Sequence, residues 1–332
     1  MLSLYRTTLP ALCLTLILPC SAHAEDGKAP EAGKDNAATQ RQPLVERSQE
    51  DALALERQVP REEQQTLQAG SDSFLALWKP ANSPSPHGVV VILAGAGETA
   101  DWPKTVGPLR RKFPDVEWGT LSLALPDLLT DSPVARAESP APAKEAAETG
   151  KTAPSKDTPA DANANIAQAT APETEAPDAP EAAAGGAGSD NSDAERIFAR
   201  LDAAVAYAQQ QNARSIVVLG NGSGAYWATR YLSERQPAAV QKLVLVAAQT
   251  PARAEHSLES LTPSLKVPTA DFYYSDLEPA RQAARQRLQA SKRLKDSNYR
   301  QVALTAMPGN RSEEQEQLFR RIRGWLSPSE TN

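Results

Sequence analysis

Short unbroken apolar runs closed by glycine or proline recur along the chain, alternating with stretches whose apolar positions repeat every three to four residues. The run "GVVVILAG", Gly88–Gly95, has no polar alternation, the pattern of a strand covered on both faces of a parallel sheet. Similar runs predict strands at "GTLSLALP" (Gly119–Pro126), Ser215–Leu219, Lys242–Ala248, Asp271–Tyr274 and Gln301–Met307. Between them, helical periodicity predicts helices at Asp101–Lys112, Asp193–Gln211, Gly224–Glu234, Arg281–Lys295 and Ser312–Leu326. In the second of these, Ile197, Leu201, Ala204, Val205 and Ala208 share one face. A short helix at Asp51–Gln58 precedes an antiparallel hairpin, Gln65–Ala69 and Phe74–Trp78, turned by "GSDS". Alternating strands and helices with short loops imply right-handed crossovers, giving six parallel strands behind a hairpin in a doubly wound α/β fold. Ligands of such sheets bind beyond the carboxyl ends of the strands.

Composition changes the domain count. Residues 1–24 carry Arg6, an apolar stretch Leu9–Leu18 too short to span a bilayer, and a small-residue cleavage site Ala22-His23-Ala24, the marks of a secretory signal peptide. Cleavage there would remove both cysteines, Cys13 and Cys20, leaving no disulfide, and would place the protein in the periplasm or outside the cell. Lipid anchoring at Cys20 is the competing expectation, which Pro19 disfavours. Residues 25–50 and 130–192 are dominated by Ala, Pro, Glu, Asp and other small or polar residues. They cannot offset ~1–2 kcal/mol of backbone entropy per ordered residue and are expected to be disordered. What is left, residues 51–129 and 193–327, is the length of one α/β domain. The net charge of -6, much of it from the second tract, argues against nucleic acid as a partner, and no later segment is apolar enough to cross a membrane. No metal-ligand spacing and no phosphate-binding loop occur, so no cofactor is expected.

The stretch "IVVLGNGSGAYWA", Ile216–Ala228, carries the candidate chemistry. Together with "VVVILAGAG", "KLVLVAA", "VPTADFYYSD" and "VALTAMPGN" in this order behind a hairpin, it resembles the α/β-hydrolase fold over Gln65–Leu326. The phrases "DWPKTVGPLRRKFPD", "GSGAYWATRYL" and "GNRSEEQEQLFRRIRGWL" are similar to an uncharacterised family of secreted bacterial α/β-hydrolase-like proteins, a likeness that carries no activity with it. The resemblance implies a nucleophile on a sharp strand-to-helix turn, with small residues two before and two after it. Two registers fit that turn. With Ser223 at its centre the flanking residues are Asn221 and Ala225. With Gly222 at its centre they are Gly220 and Gly224, both small, but the nucleophile position holds glycine. The second register is favoured, because the turn centre takes a positive φ costing other residues ~1–3 kcal/mol, whereas glycine adopts it freely.

The same resemblance places an acid at Asp276 and a general base after the last strand, where Asn310 and Arg311 stand and no histidine does. His87 precedes Gly88–Gly95 at its amino end, on the far side from any site, so His256 is the candidate for an unusual base. Without a base a serine hydroxyl is a poor nucleophile at neutral pH. The turn Gly95-Ala96-Gly97, the amide after the elbow centre and the start of the following helix would converge as an oxyanion or anion nest. Arg281, Arg285, Arg287, Lys292, Arg293 and Lys295 read as a solvated basic face, with an anionic partner as the sharper alternative. Three functions stay open. One is a protein with an incomplete triad that binds a small ester-like or anionic ligand or a cell-envelope partner. The others are a serine ester hydrolase using Ser223, Asp276 and His256, and a non-catalytic structural envelope protein.

Overall fold

The computed structural model describes residues 46–129, 184–293 and 298–327. The expected signal peptide, most of the 25–50 segment and most of the 130–192 tract lie outside the described residues. Eight strands form one sheet: β1 (Gln64–Ala69), β2 (Asp72–Lys79), β3 (Gly88–Leu93), β4 (Trp118–Leu123), β5 (Ile216–Asn221), β6 (Val240–Val246), β7 (Thr269–Tyr274) and β8 (Tyr299–Leu304). Their order across the sheet is β1-β2-β4-β3-β5-β6-β7-β8. The hairpin β1–β2 is antiparallel and meets β4 antiparallel, and every pairing from β4 through β3 to β8 is parallel. This is the expected mostly parallel sheet fronted by a hairpin.

Every residue of β3, β4 and β5 is buried, as their unalternating apolar sequences require. Helices α3 (Ala184–Gln210), α4 (Ser223–Glu234) and the short α5 (Leu258–Leu261) pack through Ile197, Leu201, Trp227, Tyr231 and Leu258 on one face, against Val91, Val218 and Leu243. Helices α2 (Val106–Lys112) and α7 (Arg311–Leu326) cover the other through Leu109, Phe113, Phe319 and Ile322, against Val90, Ile92, Val217 and Val244. Helix α1 (Arg47–Gln58) sets Leu55 against Leu75 and Leu77 of β2, and α6 (Glu278–Ser291) lies against β7.

Several boundaries depart from the expectations, and three of the helices concerned carry side-chain contacts that the sequence did not announce. Helix α1 begins at Arg47 and so takes in the end of the 25–50 segment, where Glu46 accepts two hydrogen bonds from Arg196. Helix α3 begins at Ala184, inside the 130–192 tract, and there Asp190 and Asn191 accept hydrogen bonds from the buried guanidinium of Arg230 at 2.5 and 3.1 Å. Low apolar content did not foretell that ionic anchoring. Helix α6 starts at Glu278 and ends at Ser291, and its Arg287 does not join a solvated basic face: it is 2% exposed and paired with Asp271 of β7.

Candidate active site

The sharp turn after β5 has its positive-φ residue at Gly222, within the stretch Gly220–Gly224. Gly222 stands between β5 and α4 with φ 57° and ψ −122°, a conformation that side-chain-bearing residues adopt only under strain. Its two flanks are glycines for packing reasons. A Cβ on Gly220 would lie 2.4 Å from the Cα of Ala225, and one on Gly224 would lie 2.4 Å from the carbonyl oxygen of Ala94. A Cβ on Gly222 would meet nothing within 4 Å. The strand and helix therefore close on each other through residues 220 and 224, and the open position at the crown is 222. The crown peptide is fixed at both ends, its N–H donating to Val246 O at 2.9 Å and its carbonyl accepting from Gln249 N at 3.0 Å.

Ser223 is the first residue of α4 and is half-buried. Its Oγ accepts a hydrogen bond of 2.7 Å from the amide of Ala96, in the turn after β3. The turn and the start of α4 thus meet through the serine hydroxyl, which rests on the loop's donor. Glu98 locks the two together: its Oε2 accepts from Gly95 N at 2.8 Å and from Asn221 Nδ2 at 2.7 Å. Sequence reasoning passed over Glu98, although it closes the phrase "AGAGE" and the spacing of a side chain returning to the start of its own turn was visible there. Gly97 completes that turn at φ 73°, against the guanidinium of Arg47.

The other expected residues are dispersed. Asp276 is exposed beyond β7, and its Oδ2 accepts from the backbone N–H of Ala306 at 2.7 Å, tying the loop after β7 to the loop after β8. His256 is exposed on the loop before α5, and the hydrogen-bond partner of Ser223 Oγ is the Ala96 amide rather than an imidazole. At the position expected for a base, Asn310 caps α7: its side chain accepts from Glu313 N at 3.2 Å. His87, at the opposite end of the sheet, pairs with Glu117 at 3.0 Å.

A cleft of about 380 Å³ opens over the crown, lined by Ala96, Glu98, Lys104, Gly222, Ser223, Gln249 and Tyr274 among others. Lys104 is exposed at its edge, and Glu98 is already engaged by two donors. Burial, reinforced by the nearby Glu314 carboxylate, pushes the Tyr274 phenol well above its ordinary pKa, and the phenol donates to Glu314 Oε1 at 3.1 Å. It stays a protonated donor rather than a base. Ala247, at the end of β6 and in the wall of the cleft, has φ 46°, a strained value for a residue with a side chain. Three kinds of donor surround the space over Gly222, the first-turn amides of α4, the Ser223 hydroxyl and Lys104, while the Ala96 amide is engaged by Ser223 Oγ. Helix first-turn amides lack intrahelical acceptors and carry the positive end of the helix dipole. Among the described residues no group of three or more His, Cys, Asp or Glu is arranged to hold a metal ion, and no helix is long and apolar enough to cross a membrane.

Solved structures share this architecture at low identity. Est1E from Butyrivibrio proteoclasticus is 7% identical with a TM-score of 0.50, the match covering 80% of this chain and 100% of that one. A dienelactone hydrolase from Anabaena variabilis is 14% identical (TM-score 0.49; 80% and 97% covered), and the esterase domain of a Rhodothermus marinus protein is 9% identical (TM-score 0.48; 79% and 96% covered). At such identities the likeness concerns the fold alone, which is α/β-hydrolase-like. No curated protein matches the chain. The family described as "Protein of unknown function (DUF3530)" matches residues 9–328, nearly the whole length, and the chain therefore belongs to that family.

Proposed function

We propose that the protein binds a small molecule through a carboxylate or ester carbonyl oxygen in the cleft over Gly222, and does not hydrolyse it. The observation that carries this reading is the glycine at the crown: the elbow keeps its close-packed flanks, Gly220 and Gly224, while its centre has no nucleophile. Donors that would steady an oxyanion are present in the α4 first turn, the Ser223 hydroxyl and Lys104. Ser223 in this reading is a ligand-facing hydroxyl. Its oxygen accepts from Ala96, which leaves its proton free to be donated to a bound oxygen. The proton-handling partner needed to make it a nucleophile is missing from the loop after β8, where Asn310 is spent as a helix cap.

Calorimetry with butanoate and an assay of methyl butanoate turnover test this together. Butanoate is expected to bind, and Lys104→Glu to weaken it about fivefold, equivalent to about 1 kcal/mol for a partly exposed charge pair. Methyl butanoate is expected to persist at the buffer rate. Turnover well above that rate, lost in Ser223→Ala, would instead support the serine hydrolase assignment with Asp276 and His256.

A further inference from the structure

The cleft over the crown adjoins a second, larger one. Ala247, Gln249, Thr250 and Tyr274 line both. The second has a volume of about 580 Å³ and runs between α5 and α6, walled by Leu258, Tyr273, Leu277, Ala280 and Ala283, with Glu259 also at its wall. Leu277, the residue before α6, is 52% exposed. Arg287 also lines this space, but its charge is occupied: Nε and Nη2 reach Asp271 Oδ2 at 2.9 and 2.8 Å, and Tyr299 and Gln301 donate to the same oxygen. The buried pair is neutral as a unit, so among the described residues lining the groove there is no free cation for a second anionic group, and Glu259 disfavours one. Beside Gln249, Thr250 and the two tyrosines, its walls are otherwise alanine, leucine and proline side chains that accept hydrocarbon, and clefts of this size hold small-molecule ligands.

We propose that this groove takes the aliphatic chain of the ligand whose oxygen head lies over Gly222, which makes that ligand a monoanionic straight-chain carboxylate of medium length, or its ester. The inference rests on the crown reading and adds the substrate class to it. The head is held by directional donors at the elbow, and the chain by contact with Leu258, Tyr273 and Leu277. Affinity then grows with each methylene that leaves water, by roughly two- to fourfold for a partly to fully buried methylene.

The test is calorimetric titration of the full chain with straight-chain acids from acetate to decanoate, and in parallel with the primary alcohols of the same lengths. Expected is a steady rise in affinity with acid length up to the filling of the groove, acids binding at least several-fold tighter than alcohols. In Ala283→Trp, which fills the groove, and in Leu277→Asp, which charges its wall without touching the core, that rise is expected to flatten. Acids that bind with the same affinity at every length would overturn the groove inference and leave the crown reading standing. Equal binding of acids and alcohols, both rising with length, would overturn the crown reading and leave the groove as a chain-binding site. No binding by either series at any length would overturn both.

Discussion

At the scale of single residues, the three glycines of the elbow are present for two different reasons, and substitution separates them. Gly220→Ala and Gly224→Ala drive a Cβ into backbone at 2.4 Å, which cannot be relieved without parting β5 from α4 or α4 from the end of β3. Gly222→Ala meets no atom within 4 Å and costs only the backbone strain of a positive φ, about 1–2 kcal/mol. Urea unfolding is therefore expected to rank both flanking variants as much less stable than Gly222→Ala, and the reverse order would contradict the assigned register. The positive φ at residue 222 was legible in the sequence, because the small-x-centre-x-small spacing and the preference of glycine for positive φ both pointed to that position. The role of Glu98 was not. Its return to Gly95 lies within one turn, but its carboxylate also holds Asn221, more than a hundred residues away, and a hydrogen bond at that separation leaves no local pattern.

At the scale of elements, two ionic contacts tie helices and strands together. Arg287 joins α6 to β7 through Asp271, and both are buried. Asp271→Asn leaves a buried guanidinium without its counter-charge and is expected to cost about 3–5 kcal/mol in urea unfolding, whereas Asp271→Leu with Arg287→Met removes both charges and is expected to cost less. A loss below about 1 kcal/mol for Asp271→Asn would show that the pair is not the brace described. The sequence suggested otherwise for Arg287, since a run rich in arginine reads as a wet face, and only the partner on β7 shows that one member turns inward.

The second contact lies at Glu63, which receives Lys79 of β2 at 2.6 Å and Arg110 of α2. Burial raises its carboxyl pKa, but the hydrogen bonds and charges of Lys79 and Arg110 outweigh this and hold it below the ordinary 4.5. A carboxyl depressed in the folded state stabilises fully above its unfolded value and ceases to do so as pH falls through its folded value. Wild type is thus expected to lose stability on acidification below about pH 4.5, and Glu63→Gln to show a shallower loss over that window, read by thermal unfolding at stepped pH. Identical slopes would remove Glu63 from the account.

At the scale of the whole molecule, the layer order followed from periodicity alone: the unalternating runs became the buried strands β3 to β5, and the helices fell on both faces. Less legible were the starts of α1 and α3, where Glu46, Asp190 and Asn191 secure chain that composition marked as unstructured through ion pairs and hydrogen bonds. In the function proposed, this fold, with glycine at its crown, orients an oxygen ligand without attacking it. Intact-mass analysis after exposure to a fluorophosphonate tests that claim most directly. The account predicts an unmodified chain after exposure long enough to label a serine esterase fully. A stoichiometric adduct that maps to Ser223 and disappears in Ser223→Ala would contradict it.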